Sequence, residues 1–480
     1  MQTAPRRALP FLAVLDRPRA SYHLIMGSTL LLLAIGLVMV LSTSSATQLT
    51  ADRSPYSVFV HQAVGAAIGL ALMLVLSRTP PRLLRTLAKP LMWVAIAGLL
   101  VVFVHGTSAY GAERWVQVAG IQIQPSEFAK LALLIWGADL LARKEELRQL
   151  SDWRALLVPL LPGATLLCML VMRGDDLGTT FLLLVIVLTL LWVLGTPGRL
   201  FACMLGLIVF ALLMLTVMKT YRAARLTGFL HPSTDPTGRD QQSIQGKWAI
   251  GSGGLFGVGL GESMQKWGWV PNASSDFIFA ILGEELGLIG TACVVFLYGG
   301  IAYAGLRVAR RMTEPFMRLA AAGITVWIVV QALVNICAVI GLLPITGVPL
   351  PLISQGLSSL LVTLAAIGVL LSLARREPAA LEARAAAKPK AAAAQAGPRD
   401  HPTGPPGRAP AAGRRPSSPP GGRAGPPTRS RTGPPPRPAA SRLSAQSDRP
   451  GVLRAERAAR PPSTERKKSE RKKSDGTGSS

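Results

Sequence analysis

The sequence predicts an all-α polytopic membrane protein, and three observations support that prediction. Half of the 480 residues are hydrophobic, and the mean hydropathy is +0.38. The apolar residues fall into ten runs, each long enough to cross the roughly 30 Å hydrocarbon core of a bilayer as a helix. Basic residues cluster after alternate runs, which is typical of cytoplasmic loops in multispan proteins.

The ten predicted transmembrane helices set the topology of the chain. Their approximate limits are 24–44, 57–77, 87–105, 125–143, 155–172, 177–195, 199–219, 277–306, 317–341 and 350–374. The basic clusters follow spans two, four, eight and ten and include Arg78, Arg143, Arg307 and Arg375. Both termini are therefore predicted to be cytoplasmic, with a short N-terminal segment, 1–20, before the membrane domain, 21–376.

One connection is unusually long. Residues 220–275 join spans seven and eight, and the topology makes this loop external, where long loops tend to be functional. Arg222 and Arg225 lie at helical spacing beside apolar residues, which indicates an interfacial helix. Six of the eleven residues from Gly251 to Gly261 are glycine, without the spacing of a nucleotide-binding loop. Such a segment is predicted to bring its backbone close to a ligand or to the bilayer surface.

The C-terminal tail, 377–480, differs from the rest in composition. It is rich in Pro, Ala, Gly, Ser and Arg, and its 22 basic against 8 acidic residues account for +14 of the net charge of +26. We predict a disordered cytoplasmic tail, because this composition cannot bury a core. Its basic run from Glu465 suits the anionic cytoplasmic leaflet or an acidic partner. A tail without a fixed partner is the alternative, and we expect no nucleic-acid partner.

Asp276 lies where the external loop meets an apolar helix, which is predicted to begin at Phe277. Two further carboxylates, Glu284 and Glu285, follow inside that apolar run. Ionisable groups at such depth cost several kcal/mol and are candidates for function. The alternative is that Asp276 only caps the helix N-terminus, and this stretch alone does not decide between the two.

Other polar residues concentrate at the same external side. Glu127 precedes Lys130 by three residues on one predicted helix, so the two can pair, and a purely structural ion pair is the alternative. Asp176 could cap span six. Arginine and lysine suit a phosphate or pyrophosphate, and a carboxylate beside them suits proton abstraction from a hydroxyl. The residues predict a site for an amphiphilic, phosphate-bearing molecule and leave open whether it is moved or reacted.

Six stretches resemble, in order, motifs of the SEDS family (shape, elongation, division and sporulation proteins). They are GAERW…QPSEFAK, DLGTT, YRAARLTGFLHP, AIGSGGLFGVGLG, QKWGWVPNASSDFIFAILGEELG and LPITGVPLPLISQGLSSLL. The resemblance covers about residues 20–376 and is closest to the division (FtsW-type) branch, in its actinobacterial form. Three positions depart from the family pattern, because Gln122 replaces a basic residue, Asp175 replaces a proline, and the run SQGL replaces a serine-tyrosine-glycine-glycine run.

This resemblance implies a peptidoglycan glycosyltransferase of the plasma membrane at the division septum. Such proteins polymerise lipid II, whose glycan is linked to undecaprenyl pyrophosphate, at the outer face of the membrane. They work with a class B penicillin-binding protein, a transpeptidase, and with other membrane proteins of the divisome. A lipid II flippase and a non-catalytic scaffold for the transpeptidase are the alternatives.

The resemblance also assigns site residues. Asp276 matches the family's essential aspartate and is the expected catalytic base. The expected substrate-binding residues are Arg114, Glu127, Lys130, Asp176, Arg222, Gln245, Lys266, Ser354, Ser358 and Ser359. No set of metal ligands is readable in the sequence. A divalent cation, Mg²⁺ or Mn²⁺, stays open as an assisting ion.

Overall fold

Helices account for most of the residues that the computed structural model describes. The described residues are 19–50, 52, 54–105, 107–109, 112–118, 121–146, 153–231, 240–377 and 382. The helices are α1 (Ala20–Thr50), α2 (Ser57–Arg78), α3 (Pro81–His105), α4 (Pro125–Glu146), α5 (Trp153–Arg173), α6 (Leu177–Leu194), α7 (Gly198–Val217), α8 (Thr220–Leu230), α9 (Gln241–Ser252), α10 (Ile278–Arg311), α11 (Pro315–Val339) and α12 (Leu357–Ala374). The strands are β1 (Thr107–Ala109), β2 (Ala112–Val118) and β3 (Ile121–Ile123).

Every predicted span corresponds to a helix, and the all-α polytopic class is confirmed. Among the described residues, eight helices are long and apolar enough to cross a membrane. The other two are α5, whose apolar part is shorter, and α4, which carries buried charges at Glu127, Lys130 and Asp139. The count of ten spans and the cytoplasmic termini stay predictions. The sequence predicts a tenth span from residue 350, but α12 begins only at Leu357 after a stretch of turns.

A small antiparallel sheet lies between α3 and α4, where the sequence predicts only a polar connection. Its strand order is β1-β2-β3, and β2 pairs with β3 in the register Val116 to Ile123 and Gln117 to Gln122. The sheet packs against the outer end of α3 and the start of α4. It thereby holds Arg114, on β2, beside the start of α6.

The centre of the bundle is α11. Its Trp327 and Phe316 are fully buried, and α4, α6 and α10 pack around it. By contrast, α7 buries only Ile208 within its twenty residues. A helix that is apolar and exposed on nearly all sides is suited to face lipid.

The two ends of the bundle differ in their charge arrangement. At the end predicted to be cytoplasmic, Asp139 of α4 accepts from Arg85 of α3 at 3.0 Å and from Arg143 at 2.9 Å. Glu145 pairs there with Arg318 of α11 at 2.8 Å. The opposite end contains the starts of α4, α6, α10 and α12. The candidate site residues lie on these starts and on the connections before them.

The glycine-rich part of the external loop packs into a break in α10. Gly287 has φ +66° and ψ −163°, so the helix is interrupted there. Amide N–H groups of Val258 and Gly259 donate to the carbonyls of Glu284 and Glu285, and those of Leu288 and Ile289 donate to Gly254 and Leu255. The loop therefore pairs the backbone groups that the break leaves open.

The glycines permit this close approach of two backbones. A Cβ atom on Gly257 (φ +82°) would overlap the carbonyl of Glu285, and one on Gly287 would overlap the amide nitrogen of Gly257. The prediction that these glycines bring the backbone close to a ligand or the bilayer is thus refined, because their nearest partner is α10 itself.

The tail after Glu377 lies outside the described residues, apart from Glu382, and its disorder stays a prediction. Glu377 itself is buried and accepts from Arg311 of α10 at 2.8 Å. It also lies 3.6 Å from Arg307. This ion pair joins the end of the membrane domain to α10.

Candidate functional site

Asp276 lies in the turn that leads into α10, outside the helix. Phe277, not Asp276, occupies the N-cap position of α10. The carboxylate is therefore not a helix cap, and the simple capping interpretation is wrong. Asp276 is partly buried, at the end of the bundle that is predicted to be external, beside the connection between α11 and α12.

Main-chain hydrogen bonds fix the turn that carries Asp276. The carbonyl of Asp276 accepts from Nδ2 of Asn335 on α11 at 2.8 Å. The carbonyl of Ser275 accepts from Oγ of Ser354 at 2.6 Å, and that of Ser274 accepts from the amide of Gln355 at 2.9 Å. Three successive carbonyls thus accept hydrogen bonds, and none of these bonds involves the side chain of Asp276.

Two arginines and one further acid set the electrostatics of Asp276. A Cβ on Gly347 would lie 3.5 Å from Oδ2 of Asp276 and 4.0 Å from Nη1 of Arg225, so the carboxylate and the guanidinium flank this glycine. Burial raises the pKa of Asp276 from 3.8 to about 6; Arg225 and Arg114 oppose the rise in pKa, and Asp176 adds to it. At neutral pH the group is ionised and a stronger base than an exposed aspartate.

Asp176 does cap a helix, as one of the two predicted alternatives has it. Its Oδ1 accepts from the amide of Thr179 at 3.0 Å at the start of α6. Its Oδ2 accepts from Oγ1 of Thr179 at 2.8 Å and from Nε2 of Gln124 at 3.2 Å. The cap also brings the carboxylate into the charge environment of Asp276.

Arg114 lines a cavity of about 240 Å³. Its Nε donates to the carbonyl of Gly174 at 2.8 Å and its Nη2 to that of Asp175 at 2.7 Å, while Nη1 lies 4.0 Å from Asp176. The cavity is lined by Leu99, Val102, Phe103, Arg114, Ser126, Leu170, Val171, Arg173, Gly174 and Asp176. A lining that combines the guanidinium groups of Arg114 and Arg173 with apolar side chains suits an amphiphile with a phosphate headgroup.

Lys130 is fully buried on α4 and faces α11. Its Nζ donates to Oε1 of Glu127 at 2.9 Å and to Oε1 of Gln331 at 3.1 Å. It also lies 5.1 Å from the centroid of the Trp327 ring. Nε2 of Gln331 in turn donates to the carbonyl of Pro349 at 2.9 Å. Lys130 is therefore connected to the segment beside Asp276 through Gln331, and a structural ion pair, the open alternative, is present.

Arg222 is tied to the turn before α6. Its Nη2 donates to the carbonyl of Asp175 at 3.0 Å and to Oδ1 of Asp175 at 3.1 Å, and Lys219 lies 3.4 Å from the same carboxylate. Asp175 has φ +58°, a conformation closed to proline, whose ring fixes φ near −65°. This chain thus has an ion-paired aspartate where the family pattern has a proline, and the turn at this position has a backbone conformation that proline cannot adopt.

Lys266 lies in a cluster on the α1 side of α10. Its Nζ donates to Oε1 of Glu285 at 3.2 Å, to Oγ of Ser42 at 3.0 Å and to the carbonyl of Gly261 at 2.6 Å. The charged groups that most affect the pKa of Asp276 are Arg225, Arg114 and Asp176. The structure thus gives Lys266 a partner in Glu285 and does not bring it into that charge cluster.

The remaining candidates lie on the connections around the site. Ser354 holds the Asp276 turn, and Oγ of Ser358 accepts from the amide of Gln124 at 3.0 Å. Ser359 is half-buried on the first turn of α12. Gln245 is buried on α9, which packs against α10. Substrate binding by all of these residues stays a prediction.

Four residues of this environment were not among the predicted site residues: Arg173, Arg225, Gln331 and Asn335. Gln331 and Asn335 are polar residues four apart inside an apolar span, and that pattern is a signal of function or of interhelical bonding. Arg225 is one turn from Arg222, but nothing local indicates which arginine turns toward Asp276. The packing of α8 on the bundle decides that Arg225 lies near Asp276 and that Arg222 pairs with Asp175.

The chain was compared with protein-family models and with known proteins. The family model described as "Cell cycle protein" (FtsW, RodA and SpoVE) matches residues 22–378. A "Probable peptidoglycan glycosyltransferase FtsW" of Mycobacterium tuberculosis is 42% identical over 375 residues, which cover 78% of this chain and 71% of that protein. "Stage V sporulation protein E" of Bacillus subtilis is 36% identical, over 72% of this chain and 95% of the relative.

Solved structures agree with these matches. A chain of the structure described as "Structural coordination of polymerization and crosslinking by a peptidoglycan synthase complex" is 28% identical, with a TM-score of 0.60, over 74% of this chain and 97% of that chain. The Rod shape determining protein RodA of Thermus thermophilus is 27% identical, with a TM-score of 0.55, over 74% of this chain and 96% of that chain. The chain therefore belongs to the FtsW/RodA/SpoVE family of cell cycle proteins, as its SEDS motifs predict, and it is most similar to the FtsW-type branch.

Proposed function

We propose that this protein is a peptidoglycan glycosyltransferase that polymerises lipid II at the outer face of the plasma membrane. The names of its relatives support the activity. One observation carries the assignment of the chemistry: a partly buried carboxylate, Asp276, lies in the field of Arg225 and Arg114 at one end of the bundle. That arrangement suits proton removal from a sugar hydroxyl beside a negatively charged leaving group.

The proposed reaction is a single displacement. Asp276 takes the proton of the acceptor hydroxyl, and the hydroxyl oxygen forms a bond to the anomeric carbon of the donor glycan. The bond from that carbon to the pyrophosphate breaks, and undecaprenyl pyrophosphate leaves with the electron pair. One base is sufficient for such an inverting step, whereas a retaining glycosidase uses two carboxylates about 5 Å apart.

The leaving pyrophosphate needs positive charge nearby. Arg114 and Arg173 line the cavity that opens beside Asp176, and its apolar walls suit the first part of a polyprenyl chain. We assign the donor headgroup to this cavity. Lys130 acts indirectly, because it donates to Gln331, which in turn donates to the carbonyl of Pro349. Its substitution is expected to weaken or abolish activity.

A divalent cation stays part of the proposal only as a helper ion. In the described part of the chain, no three His, Cys, Asp or Glu side chains come together in a way that could hold a metal. The residues do not fit a metal site made by the protein alone, and magnesium sites in phosphoryl-transfer enzymes commonly combine one or two carboxylates with substrate phosphates. We therefore derive no step through a metal.

The partner is proposed to be a class B penicillin-binding protein that cross-links the new strands. The structural relative from a peptidoglycan synthase complex supports this, because its description joins polymerisation to cross-linking. Contacts with other membrane proteins of the divisome, and a septal location, are part of the same proposal, and the similarity to FtsW-type relatives supports them. No nucleic acid is expected as a partner.

The decisive experiment is polymerisation of labelled lipid II by the purified protein, with and without its cognate transpeptidase. Asp276→Ala is expected to abolish polymerisation and to leave membrane insertion intact, because the side chain does not hold its own turn. If the protein were a flippase, the wild type and Asp276→Ala would both move lipid II across the vesicle membrane, and neither would form polymer. A scaffold would leave polymerisation by the complex unchanged in Asp276→Ala and in Lys130→Ala. Polymer formation by purified Asp276→Ala would refute the assigned base.

A further inference from the structure

The external loop carries an unusual surface. Seven large apolar side chains on α9 and on the segment from α9 to the Asp276 turn are each more than half exposed, and Phe256 is 80% exposed. They are Trp248, Leu255, Phe256, Leu260, Met264, Trp267 and Trp269. Contiguous apolar surface of this kind marks contact with a partner or a membrane.

The height of this surface follows from α10. From Gly287 to Arg307, the first basic residue at the end predicted to be cytoplasmic, α10 rises by twenty residue steps, about 30 Å at 1.5 Å per step, the thickness of a hydrocarbon core. Gly287 therefore marks the outer edge of the hydrocarbon. Hydrogen bonds place Gly254 and Leu255 beside Leu288 and Ile289, at that same level.

The segment has the polarity of a membrane element and not that of a water-facing loop. Three of its polar groups turn toward α10: Oγ of Ser263 donates to Oε2 of Glu284 at 2.5 Å, the amide of Met264 donates to Oε1 at 3.1 Å, and Lys266 pairs with Glu285. Its apolar groups turn outward. Backbone is tolerated at a lipid boundary only where its polar groups are paired, and four hydrogen bonds to α10 pair those of Gly254, Leu255, Val258 and Gly259.

We propose that Trp248–Trp269 is a membrane-interface anchor, whose outward side chains lie among the lipids of the outer leaflet. Leu255 and Phe256 reach the upper acyl chains, and the three tryptophans lie at headgroup level, where amphipathic aromatic rings are enriched. Glu262, the one acid of the segment, is exposed, and the proposal places it among the headgroups.

Lipid is a better occupant of this surface than a partner protein, because the surface continues into others that suit lipid. The exposed Leu288 and Ile289 of α10 adjoin it. An apolar cleft of about 270 Å³ also connects it to α1, and the lining residues are Ala34, Ile35, Val38, Met39, Leu260 and Leu286. An anchor of this kind holds the loop before Asp276 at a constant height above the bilayer, whichever substrate is bound.

Spin labelling tests the anchor directly. Phe256→Cys is made in a full-length chain whose Cys168, Cys203, Cys293 and Cys337 are replaced by serine, and a nitroxide is attached in proteoliposomes. Collisions with oxygen, which enters hydrocarbon, are compared with collisions with a water-soluble nickel complex. Phe296→Cys on the exposed face of α10 is the lipid control, and Ser54→Cys in the turn between α1 and α2 is the water control.

The nickel complex is expected to collide with the label at position 256 about tenfold less often than with that at 54, because a polar complex is costly to transfer into an apolar phase. Oxygen collisions are expected to approach those at 296. Nickel access equal to that at 54 would overturn the proposal in favour of an aqueous loop. Protection from both reagents would overturn it in favour of contact with a second copy of the chain. Leu260→Cys repeats the measurement should the first variant fail to fold.

Discussion

The chemistry of Asp276 depends on a balance between burial and charge. Burial raises its pKa to about 6, and Arg225 and Arg114 hold that rise in check. A base with a pKa near 6 is ionised at neutral pH and still accepts a proton more readily than an ordinary aspartate. The same balance predicts a measurable pH dependence.

The acid limb of kcat/KM for lipid II polymerisation is expected to lie near pH 6 and not near 4, since this limb reports the base of the free enzyme. Activity should rise with pH through that value as Asp276 loses its proton. Arg225→Gln is expected to move the limb upward by about one pH unit, because the positive charge that favours the carboxylate is lost. Lys219→Gln is the control, since Lys219 pairs with Asp175. A wild-type limb near pH 4, or an equal shift in both variants, would contradict this account.

The same pKa makes a prediction about stability. A carboxyl whose pKa is higher in the folded than in the unfolded state stabilises the fold when protonated, so stability falls as pH rises from about 4 to about 6 and stays lower above. Asp276→Asn should therefore raise the Tm at pH 7.5, by an amount worth at most about 3 kcal/mol, and not at pH 4.

Thermal unfolding in detergent at the two pH values measures this effect. Glu262→Gln, which removes an exposed acid of the same external loop, serves as the matched control and is expected to leave the Tm unchanged. A lower Tm in Asp276→Asn at pH 7.5 would mean that the carboxylate supports the fold.

At the scale of single residues, the sequence identifies chemical types better than partners. The carboxylate at Asp276 and the buried pair of Glu127 and Lys130 are readable because ionisable groups interrupt an apolar pattern. The partner of each is decided by tertiary contacts between distant segments. Lys266 and Glu285, for example, are both recognisable in the sequence as charged residues. Only the structure shows that they pair with each other.

At the scale of elements, α10 is the most informative. Its length and apolar character predict a helix, and a helix is found. Its break at Gly287 is not predictable, because glycine is common inside membrane helices and the break requires the loop that fills it. The sheet is likewise missed, since strands of three to seven residues between two apolar runs look like an ordinary loop.

Gly257→Ala tests the contact between loop and helix. The added Cβ would overlap the Glu285 carbonyl, and φ +82° is a strained conformation for alanine, so we expect a loss of about 1–3 kcal/mol in stability. Thermal unfolding in detergent measures it.

Gly206→Ala is the matched control for that variant. It lies on α7 with no atom within 4 Å of the new Cβ, and alanine is the better helix former by about 1 kcal/mol. Equal Tm values in Gly257→Ala and the wild type would show that the loop and α10 separate at little cost.

At the scale of the whole molecule, the membrane domain and the tail are predicted to be separable. The family match ends at residue 378, and Glu377 is buried against Arg307 and Arg311. Deletion of residues 383–480 is expected to leave insertion and polymerisation by purified protein unchanged.

The control for this deletion is Glu377→Ala in the shortened chain. It removes the buried carboxylate that accepts from Arg311 and lies beside Arg307, and it should therefore lower the Tm. Polymerisation and Tm are measured side by side. Loss of polymerisation on deletion alone would assign the tail to the enzyme.

The manner in which the Asp276 turn is held has a practical consequence. The turn is held by hydrogen bonds from Asn335, Ser354 and Gln355 to its main-chain carbonyls. The Asp276 side chain can therefore be replaced without loss of these bonds. Asp276→Asn keeps the shape of the side chain and removes its basicity. Such a protein should still admit both sugars and stall before they join, which makes it a trap for capturing the loaded enzyme.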